Sequence, residues 1–241
     1  MSKKVTPYKD SSLSKKEQVT LMFDRIAVKY NGLNRVLSLG LDKGWRRKLV
    51  KMVQKQGAVD VLDVATGTGD VAIALSKLPQ LTIDAVDLST QMLAVQAKEL
   101  EKLKLSDRIT LKVADAENLP FETQFDAVTV AFGVRNFAQL EKGLGEMHRV
   151  LRSGGCLYIL ETSRPKAFPV RQAHYIMSRI LIPAMGKLVA DDKGAYAYLG
   201  ESVAHFPDGK AMCNKLANVG FSKVDHRPLS GGVVSLYVAQ K

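Results

Sequence analysis

VLDVATGTGDVAI, residues 61–73, sets two glycines, two threonines and two aspartates among valine, leucine and isoleucine. An apolar run that ends in closely spaced glycines reads as a buried strand entering a tight turn, with a helix starting at Asp70. GTGD is too short for a phosphate-binding P-loop, and it is not the G-x-G-x-x-G of nicotinamide-binding turns. Ala72 is permissible where a dinucleotide turn has its third glycine. Asp70 at the helix start would repel a pyrophosphate, so the turn suits a cationic or uncharged ligand better.

Working outward, the pattern alternates. VDVLDVA (59–65) reads as a strand and DVAIALSKL (70–78) as a helix. LTIDAVDL (81–88) is a strand, and STQMLAVQAKELEKL (89–103) a helix with Ser89 as N-cap. RITLKVADA (108–116) and FDAVTVAF (125–132) are the third and fourth strands, 137–152 a helix, and GGCLYILET (154–162) the fifth strand. Strand–helix repetition implies a mostly parallel sheet covered on both faces. DGKAMCNKLANVG (208–220) is a helix, and FSKVDHRPL with GGVVSLYVAQ close the sheet as two antiparallel strands.

The flanks read differently. Residues 1–16 form a basic arm, expected to be flexible, and the single domain spans 17–241. Within it, 17–57 is a helical cap: a helix from Glu17 to Tyr30, a turn-rich connection at 31–40, and a helix over 42–56 closed by Gly57. On that second helix Trp45, Leu49, Met52 and Val53 form an apolar stripe opposite Arg46, Arg47, Lys48 and Lys51. Residues 166–206 interrupt the rhythm and read as a helical insertion over the carboxyl edge of the sheet.

Length and composition bound the rest. A chain of 241 residues with 46% apolar residues supports one sizeable core, and a net charge of +11 points to an anionic partner. Cys156 and Cys213 lie far apart without CxxC spacing, which argues against a disulfide, a zinc site or an iron–sulfur cluster, so no metal is expected. The basic start has no apolar core of a signal peptide, and no run of eighteen apolar residues suggests a membrane span. The expectation is a cytoplasmic enzyme.

In an open parallel sheet a ligand sits beyond the carboxyl ends of the strands, at the switch point. Small residues at Ala65, Gly67 and Gly69 let the backbone approach it. Asp87, ending the second strand, accepts hydrogen bonds from ribose hydroxyls. Asp115 and Ala116, ending the third, suit an adenine and its exocyclic amine. Asp63 and Asp70 add negative potential near a positively charged tail. Together these describe S-adenosyl-L-methionine.

These residues resemble a class I methyltransferase through VLDVATGTGD, AVDLSTQML, ADAENLPFETQFDAV and RVLRSGGCLYILE. FDRIAVKYNGLNRVLSLGLDKGWRR (23–47), AFGVRNF (131–137) and YLGESVAHFPDG (198–209) closely resemble the ubiquinone/menaquinone biosynthesis C-methyltransferases of the UbiE/MenG type. Most methyltransferases have glycine where this chain has Ala65, a departure usual in that family. The resemblance implies an α/β, Rossmann-like fold with a seven-stranded sheet. It also implies a polyprenyl quinol substrate, naphthoquinol or benzoquinol, methylated on a ring carbon. Carried over by motif, Thr68 in the turn, Asp87 at the ribose and Asp115 with Ala116 at the adenine would hold the cofactor.

The chemistry needs a phenolate, since ionising a hydroxyl activates the neighbouring ring carbon. Arg135, just after the fourth strand, is placed to stabilise that anion, unless it merely pairs with a helix carboxylate. Asn136 would hold a ring oxygen, and Tyr30 would contact the ring, close the cofactor site or serve only as core. His148 reads as structural, with His174 and His205 as outside candidates for a base. Ile176, Met177, Ile180, Leu181 and Met185 would line a prenyl tunnel or an ordinary core. The basic helix 42–56 suits an anionic membrane surface or plain solvent, and a homodimer is compatible with the sequence. RNA methylation is the rival reading. Against it, the chain lacks an [NDS]-PP-[FYW] tetrad, a Pro-Cys nucleophile and a stacking platform, so no nucleic acid is expected.

Overall fold

The computed structural model describes residues 5–176 and 193–241. Seven strands form one sheet in the order β3-β2-β1-β4-β5-β7-β6. They are β1 Asp60–Val64, β2 Thr82–Asp87, β3 Ile109–Val113, β4 Phe125–Ala131, β5 Leu151–Thr162, β6 Lys223–Leu229 and β7 Val234–Gln240. β1 to β5 pair in parallel, and β7 runs antiparallel between β5 and β6. The order reverses between β1 and β4, which creates the switch-point crevice directly after Val64 and Ala131.

Period-two alternation sorts the strand residues onto two cores. Leu62, Val64, Val128, Val130, Leu157 and Ile159 point to one face, where α5 (Leu140–Val150) and α8 (Lys210–Asn218) pack through Leu144, Met147, Met212 and Leu216. Val61, Ile83, Ala85, Ala127, Tyr158 and Leu160 point to the other. That face is covered by α2 (Asp42–Gln56), α3 (Asp70–Leu75) and α4 (Thr90–Leu103). Ser89 caps α4 by accepting the Met92 N–H, and Gly57 ends α2 at φ 79°.

A third, smaller cluster forms the roof. There α1 (Lys15–Leu37) meets α7 (Lys193–His205) through Val19, Met22, Ala195 and Tyr198, with Val5 and Tyr8 packed beside them. A short helix, α6, spans Val170–Ile176. Met177, Ile180, Leu181 and Met185 lie outside the described residues, as do the side chains of His174 and Ile176.

Two local readings need correction. Helix α1 runs through the expected turn at 31–40 as far as Leu37, so Asn31 and Gly32 are helical. Tertiary contacts override their weak propensity, because Asn31 gains a partner across the site. Helix α1 also starts at Lys15, so Lys15 and Lys16 are part of it. Arg46 turns inward from the basic stripe of α2, bonding Asp42 at 2.5 Å and Asp70 at 2.9 Å.

Candidate cofactor and active site

The turn after β1 is wound through left-handed backbone. Ala65 has φ 51°, Gly67 φ 58° and Gly69 φ 87°. A β-carbon on Gly69 would fall 2.5 Å from Gln96 Cγ, so this glycine is required by both conformation and space. Asp63 lies beneath the turn and not on the cavity wall. Its carboxylate accepts from the Thr66 hydroxyl at 2.7 Å and the Thr129 hydroxyl at 2.6 Å. Burial pushes its pKa up to about 6. Asp70 faces Arg46, which offsets the negative charge at the start of α3. Neither acid lines the cavity, and the fold supplies each with a partner of its own.

Asp87 does face the crevice. Its carboxylate accepts the Gly67 N–H and the Ser89 N–H, both at 2.8 Å, bracing the β1 turn against the β2 turn. Burial raises its pKa against these bonds. Gly67, Asp87, Asp115 and Ala116 line one cavity of about 740 Å³ with Tyr30 and Asn136. Space beside the Gly67 Cα is open, with no atom within 4 Å of a notional β-carbon. A carboxylate at the second strand's end and small turn residues, gathered around one cavity, fit an adenosyl cofactor. Thr68 and Gly69 shape the turn from outside the cavity.

Sequence reasoning missed how α1 closes this cavity. Lys16 reaches Asp115 at 2.5 Å and Glu117 at 3.1 Å. Asp24 accepts from the Ser89 hydroxyl at 2.6 Å and from the Gln91 N–H at 3.2 Å. Asn31 accepts from the Thr68 hydroxyl. Each of the first three strand ends is thus tied to α1 by a polar contact. Val19, Thr20, Phe23 and Tyr30 of the same helix roof the cavity. The available signal was spacing: Lys16, Asp24 and Asn31 fall within one helical face.

After β4, Phe132 adopts φ 57° and Gly133 begins the turn that carries Arg135 and Asn136. Arg135 Nη1 donates to Glu161 Oε1 and to the Phe132 carbonyl, each at 2.6 Å. Its partner is therefore a strand carboxylate, Glu161 of β5, and not a helix one. Burial opposes the guanidinium charge, but Glu161 together with the Tyr30 and Tyr198 hydroxyls outweighs it and raises the pKa. Asn136 Nδ2 donates to the same Phe132 carbonyl at 3.3 Å. Burial raises the pKa of Tyr30, whose hydroxyl meets Asn34. Asn136 faces the first cavity, whereas Arg135 lines a second, more open one of about 1100 Å³ with Tyr198, Ser202 and His205. Phe137 borders both. His148 packs edge-on against Phe221, 4.9 Å between centroids, away from both cavities.

A seven-stranded sheet with this order, and a glycine turn and acids at its switch point, defines a class I S-adenosylmethionine-dependent methyltransferase. A solved S-adenosylmethionine-dependent methyltransferase from Thermotoga maritima shares the fold, with TM-score 0.65 at 16% identity over 92% of this chain and 99% of that one. The model of the ubiE/COQ5 methyltransferase family matches residues 11–241. The chain is 45% identical over 240 residues to a demethylmenaquinone methyltransferase of Bacteroides fragilis, covering 99% of this chain and 98% of that one. It is 41% identical over 234 residues to a ubiquinone/menaquinone biosynthesis C-methyltransferase UbiE of Geobacter sp. (strain M21), covering 95% and 99%. The chain belongs to the ubiE/COQ5 methyltransferase family.

Proposed function

We propose that the enzyme methylates a ring carbon of a demethylmenaquinol, a 2-polyprenyl-1,4-naphthoquinol, using S-adenosyl-L-methionine. The carrying observation is Arg135, in the turn between the cofactor cavity and the second cavity and buried against Glu161 of β5. The naphthoquinol is favoured over a benzoquinol by the 45% identity to the demethylmenaquinone methyltransferase of Bacteroides fragilis.

When bound, S-adenosylmethionine would supply an electrophilic methyl group carried on a sulfonium leaving group. Asp87 would hold the ribose and Asp115 with Ala116 the adenine. Arg135 stabilises the phenolate left when a quinol hydroxyl gives its proton to water. Asn136 and Tyr30 orient the ring. The ring C–H proton is then lost to water, restoring aromaticity, and the phenolate oxygen regains one proton from water, so the balance is quinol plus sulfonium to methylquinol, thioether and one proton. The protein's share is alignment and electrostatics in a dry site.

Among the described residues no helix is long and apolar enough to cross a membrane. Val28, Leu39 and Leu41 of the helical cap are nevertheless exposed, as are its Arg35, Lys43, Arg47 and Lys48. This mixture of exposed apolar and basic residues suits peripheral docking on anionic lipid, where the quinol resides. Co-sedimentation with vesicles rich in phosphatidylglycerol, but not with phosphatidylcholine alone, is the expected result. Binding indifferent to lipid charge would overturn it.

Quinone profiling by mass spectrometry in cells lacking the gene tests the substrate. Accumulation of demethylmenaquinone supports the proposal, and an unchanged quinone pool refutes it.

A further inference from the structure

Arg135 and Tyr198 both line the second cavity, and among the described residues the Arg135 Nε and the Tyr198 hydroxyl are buried with no hydrogen-bond partner. Tyr198 is 2% exposed and is gripped in the roof cluster by residues of α1. On the α7 face that lines this cavity, Ser202 donates to the Leu199 carbonyl and His205 Nδ1 meets the Glu201 carbonyl, both at 2.9 Å. Tyr198 alone of the three keeps an uncommitted hydroxyl. A buried donor left unpaired is costly, so two such donors on residues that line one cavity point to an acceptor oxygen supplied from outside the chain.

Glu161 gives a second reason. It lies against Arg135 at 2.6 Å and offsets much of the charge that would stabilise an anion. Arg135 Nη1 is already committed to Glu161 and to the Phe132 carbonyl. Its Nε edge remains, and a neutral donor beside it would supply what the paired charge lacks.

We propose that Tyr198 is a further substrate-contacting residue: its hydroxyl and Arg135 Nε–H together receive the quinol oxygen that becomes phenolate. This inference rests on the quinol reading above. Burial holds the Tyr198 phenol up to about 12, so it stays a proton donor while the substrate hydroxyl ionises. Tyr198 acts by hydrogen bonding alone and transfers no proton.

The test uses the full-length enzyme, S-adenosylmethionine and a short-chain demethylmenaquinol kept reduced. Tyr198→Phe should lower kcat about tenfold and move the rising limb of the kcat–pH profile upward by about one unit, as expected for loss of one hydrogen bond to an anion. Affinity for S-adenosylhomocysteine by calorimetry should not change. Tyr198→3-fluorotyrosine, which keeps the volume but donates more strongly, should move the same limb downward, so the proposal stays testable even if phenylalanine disturbs the fold. An active wild type whose pH limb is unmoved in both variants overturns this proposal alone. A wild type inactive on naphthoquinols and benzoquinols overturns the substrate reading and this proposal with it.

Discussion

Ala65 and Gly133 are complementary across the switch point: a β-carbon on Gly133 would stand 2.8 Å from the Ala65 Cβ. Ala65 also carries the left-handed backbone, φ 51°, that a glycine would adopt without cost. The methyl group that departs from the usual glycine motif is accommodated because the facing position has none. Gly133→Ala should therefore destabilise the protein by about 1–3 kcal/mol through overpacking and weaken cofactor binding. Ala65→Gly in the same chain should restore most of both. Thermal melts and calorimetry on the two singles and the double measure the coupling, and additive effects would refute the pairing.

Asp87 braces two turns and faces the cofactor cavity. Asp87→Ala should lower affinity for S-adenosylhomocysteine at least tenfold, through loss of charge-assisted hydrogen bonds worth about 1.5–3 kcal/mol. Unchanged calorimetric affinity would remove Asp87 from the cofactor site.

Arg135→Ala strands Glu161, which is wholly buried, so it should cost about 3–5 kcal/mol of stability as well as turnover. Arg135→Met with Glu161→Gln removes both charges. That pair should regain stability in urea titrations yet stay deficient in turnover, with cofactor affinity near normal. Recovery of turnover with stability would show that Arg135 serves the fold and not the reaction.

The contact from Asn31 to Thr68 ties the roof helix to the glycine turn. Asn31→Ala should speed S-adenosylhomocysteine release about fivefold, the equivalent of ~1 kcal/mol for one hydrogen bond, with a smaller change in global stability. Stopped-flow displacement measures the rate. An unaltered release rate would mean that α1 does not gate the cavity.

Asp63 predicts a pH dependence of stability. Its folded pKa, about 6, lies above the ordinary aspartate value, so folding favours the protonated form. The contribution is fully present below about pH 4 and is lost as pH rises through 6, a swing of ~3 kcal/mol. Asp63→Asn should flatten that segment of the stability curve measured by urea unfolding from pH 4 to 7. A slope as steep as wild type would assign the effect to another group.

Much of this was legible locally. Buried strands announce themselves by apolar runs, the glycine turn by spacing, and the cap of α4 by Ser89. The acids at 87 and 115 could be placed because strand ends in a parallel sheet converge on one edge. Sequence does not distinguish an acid facing a ligand from one held beneath a turn, so the surroundings of Asp63 could not be read from it. Its position in the strand was clear, but its hydroxyl partner Thr129 lies on β4. The 31–40 segment was misread because its turn-forming residues are outweighed by contacts made only after folding.

By itself the sequence determined the order of elements, the switch point and the family, since these follow from periodicity, turn chemistry and motifs within short windows. Tertiary structure alone decided which carboxylate meets Arg135, which residues of α1 close the cofactor cavity, and why alanine is tolerated at 65. Each of those depends on side chains distant in sequence, brought together by packing on both faces of the sheet and by the desolvation that makes buried polar groups find partners.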